Sequence, residues 1–152
     1  MRIVHISTLY EPVGGLEIAV RKVAENQAWL GHEVHIITSD QCDERCVMKF
    51  NGSVYVHKAL SIKLGYTYLT VPLARVEKII KNSDVVHGWG HNYYFVYEMV
   101  KRAKRLGKFT ITYFIGVDYL QRHYNPFMRV FGYWYQRFVT SRLIEVSDLA
   151  LV

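Results

Sequence analysis

Short segments rich in β-branched residues alternate with amphipathic helical segments along most of the chain. Arg2–Ser7, Glu33–Thr38 and Phe109–Phe114 carry the isoleucine, valine or threonine that is typical of strands. Between them, Leu16–Leu30 and Tyr93–Leu106 place apolar residues at helical spacing. This alternation predicts an α/β domain with an open, mainly parallel sheet, helices on both faces and right-handed crossovers. The strands predicted to lie parallel at its centre are Arg2–Ser7, Glu33–Thr38, Asp84–His87 and Phe109–Phe114.

Weaker sequence patterns predict the remaining hairpin, loop and helices of the domain. The dipeptide Asn51-Gly52 favours a tight hairpin, which we expect at an edge of the sheet. Residues 59–71 are expected to form a loop. Pro72 is expected to begin a short helix that ends at Lys81, because proline suits the first helical turn. A long helix is expected over Phe127–Ile144, with its apolar stripe facing either the core or an external surface.

Length and composition exclude several classes of protein. The 152 residues suit one domain, 1–152. No apolar run reaches the roughly 18 residues of a membrane-spanning helix, and Met1–Ser7 lacks the long apolar stretch of a signal peptide, so we expect a cytoplasmic protein. Two cysteines, Cys42 and Cys46, exclude a disulfide-built scaffold, and their spacing is not that of a zinc site. Because Val152 falls inside a predicted strand, we expect a longer natural protein.

Positive charge is concentrated in the second half of the chain. The net charge is +6, but residues 101–144 hold nine basic residues against one acid, Asp118, a net of +8. Such a segment favours a polyanionic partner, although a solvated basic face is an equally open interpretation. Within it, Arg129, Arg137 and Arg142 lie among aromatic residues, a pattern that also occurs in helices lying on anionic bilayers. These arginines are therefore candidates for a membrane- or anion-binding face.

Gly14 and Gly15 stand between the first predicted strand and the first predicted helix. Glycine lets a ligand approach the backbone closely, and the exposed amides of a helix N-terminus attract phosphate. The chain has neither the dinucleotide fingerprint nor a Walker loop at this point. The pair therefore predicts a phosphate-binding turn or an ordinary turn.

Two histidines and a tryptophan follow the third central strand. His87, Trp89 and His91 alternate with glycines, so we expect a narrow loop at the carboxyl end of that strand. Such side chains favour a sugar or phosphate pocket, or a loop that caps the next helix. A metal site is not expected, because no third ligand lies nearby in the sequence.

Several motifs follow one another in a characteristic order. They are Met1–Ser7, Tyr10-Glu11-Pro12, Gly14-Gly15-Leu16-Glu17, Leu30–His35 before Thr38-Ser39, Asp84–His87, Gly107–Phe109 through Gly116–Asp118, and Ser147–Val152. Together they resemble the N-terminal half of GT4-type glycosyltransferases, which have the GT-B fold. The resemblance covers nearly the whole chain, although no single motif is specific.

The resemblance implies a Rossmann-like, acceptor-side domain of a two-domain enzyme. The absent C-terminal domain would bind the nucleotide-sugar, while Gly14 and Gly15 would approach the donor diphosphate. The phosphates would be met by amides and cationic groups, with no metal or other cofactor. We expect a lipid-linked or otherwise anionic acceptor, a peripheral location at the inner face of the membrane, and no activity from residues 1–152 alone.

One departure from the family pattern leaves the catalytic residues open. Family members commonly carry a histidine in a Thr-x-His-Gly stretch, and Ile115 holds that place in Tyr113-Phe114-Ile115-Gly116. Tyr113 begins this stretch and Asp118 follows it, and both join His87, Trp89 and His91 in the predicted acceptor pocket. Because Ile115 can neither hydrogen-bond nor move a proton, a non-catalytic partner subunit of the same fold is the alternative. A basic nucleic-acid-binding module is a third interpretation, which no nucleic-acid motif supports.

Overall fold

The computed structural model describes residues 1–8, 14–39, 47–50, 52–64, 67–71, 74–91, 93–116 and 121–152. Nine strands are present in these ranges: β1 Arg2–Ser7, β2 Glu33–Thr38, β3 Val47–Phe50, β4 Gly52–Lys58, β5 Leu60–Leu64, β6 Thr67–Val71, β7 Val85–Trp89, β8 Phe109–Tyr113 and β9 Leu149–Leu151. The helices are α1 Gly15–Trp29, α2 Ala74–Lys81, α3 Tyr94–Arg105, α4 Pro126–Tyr135 and α5 Ser141–Glu145, with a π-helical turn, Gln136–Thr140, joining the last two.

Seven strands form one sheet in the order β3-β4-β2-β1-β7-β8-β9. Six of them are parallel, and β3 is antiparallel to β4 at the edge. The four strands predicted for the centre are β1, β2, β7 and β8, and their parallel arrangement is confirmed. The edge hairpin predicted around Asn51-Gly52 is also present as β3 and β4, although Asn51 itself lies outside the described residues.

Helices cover both faces of the sheet, as the alternation of segments predicts. On one face, α1 buries Val20, Ala24 and Ala28 against valine and isoleucine side chains of β2 and β4. On the other face, α2, α3 and α5 pack over β1 and β7 in the larger core cluster. Gly31 and Gly107 follow α1 and α3 with φ of 86° and 71°, a left-handed conformation that favours glycine after a helix.

The prediction of a loop over residues 59–71 is wrong. β5 and β6 pair antiparallel there, in a separate two-stranded sheet, and β6 lies against α3. Leu60–Leu64 alternates apolar and polar residues, and Thr67–Val71 is rich in β-branched and aromatic types. Both patterns favour strands. The tyrosines and glycine of this region obscure that alternation in the sequence.

The prediction that a narrow loop occupies His87–His91 is also wrong about where the loop begins. Strand β7 continues through Trp89, because Gly88 and Trp89 pair with Thr112 and Tyr113 of β8. Gly88 serves packing: a Cβ there would lie 2.7 Å from Val100 Cγ2 and 2.9 Å from Val96 Cγ1 of α3. Its missing side chain lets α3 approach the sheet closely. The loop begins only at Gly90, which has a φ of 84°.

The helical segment after Pro126 turns its aromatic stripe outward. Phe127, Trp134 and Phe138 are 83%, 54% and 48% exposed, so the interpretation of the whole stripe as core is wrong. The buried positions are Gly132, Tyr135, Thr140 and Leu143. The five-residue step from Tyr135 to Thr140 spans the π-helical turn, which is wider than an α-helical one and shifts the register of the buried positions.

Some predicted features fall outside the described ranges. These are the motif at Tyr10, the cysteine pair Cys42 and Cys46, the helix start at Pro72, and Asp118. The helix expected to begin at Pro72 is described from Ala74 to Lys81. None of the helices in the described ranges combines the length and the hydropathy that crossing a bilayer requires.

Candidate functional site

The carboxyl ends of the central parallel strands meet at one edge of the sheet. Thr8 follows β1 there, Ser39 follows β2, and Gly90 follows β7. The hydroxyls of Thr38 and Ser39 donate hydrogen bonds of 3.1 and 2.6 Å to the Thr8 carbonyl, which fixes the end of β1 against β2. In open α/β sheets, ligands bind beyond this edge. This edge is therefore the candidate location of a ligand site.

Gly14 and Gly15 lie at this edge, at the amino terminus of α1. The first hydrogen bond of the helix runs from the Ile18 amide to the Gly14 carbonyl at 3.2 Å, so the helix itself leaves the amides of residues 15–17 without a carbonyl. A Cβ at Gly15 would have no described atom within 4 Å. Together with the helix dipole, this open backbone is suited to an anionic group.

Glu17 lies beside the glycine turn, and the sequence places it in the motif Gly14-Gly15-Leu16-Glu17 without predicting its burial. Its side chain is 7% exposed, and its Oε2 lies 2.9 Å from where a Cβ of Gly14 would be. A carboxylate in the first turn stabilises a helix amino terminus. The signal is present in the sequence, since Glu17 occupies the position before Val20, Ala24 and Ala28 on the buried stripe of α1. A charged residue on an otherwise apolar stripe is informative.

His5, His87 and Trp89 form a buried aromatic cluster on the α1 side of the sheet. Trp89 Nε1 donates to His5 Nδ1 at 2.9 Å, and His5 Nε2 lies 2.7 Å from Gln27 Oε1 of α1. These partners fix a neutral His5 with its proton on Nε2. Burial lowers the pKa of His5 to about 4. Burial, and then the repulsion of His5 when that ring is protonated, lowers the pKa of His87 to about 3.

The predicted acceptor-pocket residues do not all come together. Tyr113 joins the buried cluster, since its ring meets Trp89 edge-on at 5.5 Å. His91 is 1% exposed and stacks at 5.6 Å on Phe114, which belongs to the core on the other face. Asp118 lies outside the described residues. A role in binding a sugar stays a prediction for all five residues of the predicted pocket, which are His87, Trp89, His91, Tyr113 and Asp118.

Ile115 follows β8 at the same carboxyl edge and is 40% exposed. The apolar side chain at the position of the family's histidine therefore reaches the surface where a ligand would approach. The neighbouring Gly116 has a φ of 60°. Neither residue supplies a group that can accept or donate a proton.

The basic residues of the second half fall into two groups. On α3, Lys101 and Arg102 pair with Glu98, and Lys104 pairs with Asp148. By contrast, Arg129, Arg137 and Arg142 are exposed, and no described carboxylate lies within ion-pair distance of them. Residues 121–144 contain no aspartate or glutamate. We use the name aromatic–basic face for the exposed side chains of this helical segment, namely these three arginines with Phe127, Phe131, Trp134 and Phe138.

Potential metal ligands do not gather in the part of the chain that the structure describes. No group of three or more histidine, cysteine, aspartate or glutamate side chains there is arranged to hold an ion.

Comparison with known proteins gives a family and a fold. The family model described as Glycosyltransferase Family 4 matches residues 13–149. No curated protein sequence matches the chain. Among solved structures, HepE from Anabaena, in complex with UDP and glucose, aligns with a TM-score of 0.54 at 11% identity, over 98% of this chain and 43% of HepE. This chain thus spans less than half the length of that protein, and the likeness shows the fold.

Two dehydrogenases align less closely. Homoserine dehydrogenase from S. aureus at pH 7.0 has a TM-score of 0.46 at 12% identity, over 99% of this chain and 32% of that one. Aspartate semialdehyde dehydrogenase II from Vibrio cholerae, complexed with ASA, has a TM-score of 0.46 at 8% identity, over 98% of this chain and 40% of that one.

Proposed function

The chain belongs to Glycosyltransferase Family 4, and from this premise we propose that it is the acceptor-side half of an enzyme that transfers a sugar from a nucleotide-sugar. The observation that carries the proposal is the family match, which covers both glycines at the start of α1 and the carboxyl ends of β2, β7 and β8. A second half, outside this chain, supplies most of the contacts to the donor.

The geometry at the amino terminus of α1 supports a role in meeting the donor diphosphate. The backbone at Gly15 is open, and the first amides of the helix point out of it. The Glu17 carboxylate beside Gly14 repels an incoming anion. Binding of a diphosphate at this turn therefore needs cationic groups from the other half. For this reason we expect residues 1–152 alone to bind the donor weakly and to show no turnover.

The direct experiment compares the full-length protein with residues 1–152 on a panel of nucleotide-sugars. The full-length protein should release nucleoside diphosphate from one donor, and the release should increase when an acceptor is present. Turnover by residues 1–152 alone would contradict the placement of the donor site.

Ile115 supports a second proposal within the same fold, a non-catalytic partner subunit. Its apolar side chain stands at the carboxyl edge where the family pattern has a histidine. This alternative predicts that the full-length protein binds a nucleotide-sugar without turning it over. Restoring the family residue with Ile115→His would then be expected to give measurable transfer. Turnover by the unmodified full-length protein would exclude the alternative.

The aromatic–basic face supports peripheral binding to an anionic membrane at the cytoplasmic side. The exposed rings of Trp134 and Phe138 stack at 5.3 Å, and the exposed Arg129, Arg137 and Arg142 of the same helical segment have no acidic partner among the described residues. Cationic side chains near an anionic bilayer each contribute about 1 kcal/mol. Inserted aromatic surface adds roughly 25 cal/mol per Å² buried. An acceptor anchored in lipid would be reached from such a position.

Vesicle binding tests this location. Binding to vesicles of phosphatidylglycerol should weaken with added salt, since screening shortens the reach of surface charge. Arg129→Gln, Arg137→Gln and Arg142→Gln together should remove the salt-sensitive part, and Trp134→Ser the salt-resistant part. Lys22→Gln with Lys81→Gln serves as a control elsewhere on the surface. Equal binding to neutral and anionic vesicles would contradict the role of the three arginines. Tighter binding to nucleic acid than to vesicles at the same salt concentration would favour the interpretation as a nucleic-acid-binding module.

A further inference from the structure

The side chain of Glu17 ends at the glycine turn, Gly14-Gly15, where α1 begins. It is 7% exposed, and its stem continues the buried stripe of α1 that packs on β2 and β4. Its Oε2 lies 2.9 Å from where a Cβ of Gly14 would stand. The Glu17 oxygens are not among the unpaired polar atoms that are fully enclosed, so a ligand at the carboxyl edge of the sheet can reach them.

The Glu17 carboxylate has neither a hydrogen bond nor an ion pair within the ranges that the structure describes. Two cations belong to its surroundings. Arg21 stands one turn further along α1 and has a contact of its own, while Lys58 ends β4 on the strand face whose valines pack on α1. A nearly buried carboxylate without a hydrogen-bond donor is costly. We therefore expect a ligand group that donates a hydrogen bond to meet it.

The two kinds of group at the glycine turn select different parts of a ligand. The amides of residues 15–17 donate hydrogen bonds and suit phosphate oxygens. The Glu17 carboxylate only accepts hydrogen bonds, and it repels phosphate. A nucleotide-sugar offers a partner to both, because the hydroxyls of its sugar begin on the carbon next to the one that bears the diphosphate.

We propose that Glu17 binds the transferred sugar by accepting a hydrogen bond from one of its hydroxyl groups, while the helix amides beside it meet the diphosphate. This inference rests on the proposed function, and it adds a residue that recognises the sugar rather than the phosphates. A hydrogen bond from a hydroxyl to a carboxylate is charge-assisted and stronger than one between neutral groups. A sugar without that hydroxyl would leave the carboxylate unpaired, so Glu17 would select against it.

A purely structural role of Glu17 is the alternative. Gly14 is the N-cap residue and Glu17 is the third residue of α1, the position from which a glutamate reaches back to the N-cap amide in a capping box. Glutamine serves the same capping role. Glu17→Gln therefore keeps the shape and the cap while it removes the charge, so it separates the two roles.

Equilibrium binding by the full-length protein tests the inference, with a nucleotide-sugar and the corresponding nucleoside diphosphate as ligands. Glu17→Gln should weaken binding of the nucleotide-sugar roughly tenfold or more, because a hydrogen bond to a charged group is lost. It should leave binding of the nucleoside diphosphate unchanged or make it tighter, since a repulsive charge is removed. Glu25→Gln is the matched control on the same helix. Glu25 pairs with Lys22, and its replacement should leave both affinities unchanged.

An unchanged affinity of Glu17→Gln for the nucleotide-sugar would overturn the inference. Changes of equal sign and size for the two ligands would overturn it as well, because Glu17 would then act on the phosphates or on the fold. If the unmodified full-length protein bound neither ligand, the proposed function itself would be contradicted, and the inference would fall with it.

Nucleotide-sugars that lack one sugar hydroxyl at a time give an independent readout. The loss of affinity caused by Glu17→Gln should disappear for the analogue without the hydroxyl that Glu17 accepts from, and it should persist for the others. A loss of equal size for every analogue would overturn the inference.

Discussion

Single glycines have three different structural roles in this chain. Gly31 and Gly107 adopt the left-handed backbone that ends a helix, and this role can be predicted from their place after an amphipathic segment. Gly88 leaves room for α3 against the sheet, and Gly15 has open space at the start of α1. The last two roles depend on which element packs against the residue. The sequence alone therefore places Gly88 in a loop.

The packing role of Gly88 predicts a loss of stability on substitution. Gly88→Ala adds a Cβ less than 3 Å from Val96 and Val100, so α3 has to move away from the sheet. Overpacking of this kind costs typically about 1–3 kcal/mol. Urea unfolding should show this decrease, whereas Gly15→Ala, with no described neighbour at its Cβ, should keep the free energy of unfolding. Equal stability of the two variants would refute the packing role.

The buried histidines predict a loss of stability in acid. The folded-state pKa values of His5 and His87 are about 4 and about 3, below the ordinary value of 6.5. Between the folded-state and the ordinary pKa, the unfolded chain binds more protons than the folded chain. The contribution of these histidines to the free energy of unfolding is therefore fully present above pH 6.5 and decreases as the pH falls towards 4. Urea midpoints across this range measure the effect. His87→Leu should make the slope shallower, and an identical slope would contradict the account.

At the scale of elements, hydrophobic periodicity predicts the central strands and the helices but not what covers each face. The stripe from Phe127 to Phe138 has helical spacing, yet it faces solvent, because the buried face is set by the π-helical turn. Periodicity identifies the apolar face of a helix, but which element packs against that face depends on the tertiary structure. The strands β5 and β6 are missed because each is only five residues long, and the glycine and tyrosines of this region are typical of a loop.

Tyr135 tests the orientation of the helical segment after Pro126. Its ring is buried, its hydroxyl has no hydrogen-bond partner among the described residues, and burial raises its pKa. Tyr135→Phe should keep or raise the free energy of unfolding, because it removes only an unpaired polar atom. Tyr135→Ser should cost roughly 3 kcal/mol or more through the cavity it leaves. The exposed Tyr133 provides the control, since Tyr133→Ser should change stability by less than about 0.5 kcal/mol.

A reversed order in thermal or urea unfolding, with Tyr133→Ser the more damaging change, would contradict this orientation. The helical segment would then have to be rotated so that the aromatic–basic face packs on the sheet. Peripheral membrane binding through that face would lose its structural basis at the same time.

At the scale of the whole molecule, the parallel sheet places the glycine turn at the edge where ligands of such folds bind. This part of the site follows from sequence order alone, since the turn comes directly after the first strand. The positions of His87 and Trp89 do not follow, because pairing with β8 extends β7 and takes their side chains into the core. The burial of Glu17 does not follow either, since it depends on the packing of α1.

The central claim is that the glycine turn meets the donor diphosphate of a sugar transferase, and the kcat/KM of Gly15→Val in the full-length protein tests it most directly. A Cβ at Gly15 meets no described atom, so the larger side chain should leave thermal stability close to that of the unmodified protein. It should nevertheless lower kcat/KM for the nucleotide-sugar roughly tenfold or more, by blocking approach of the phosphates to the backbone amides. An unchanged kcat/KM would contradict the phosphate-binding role of this turn.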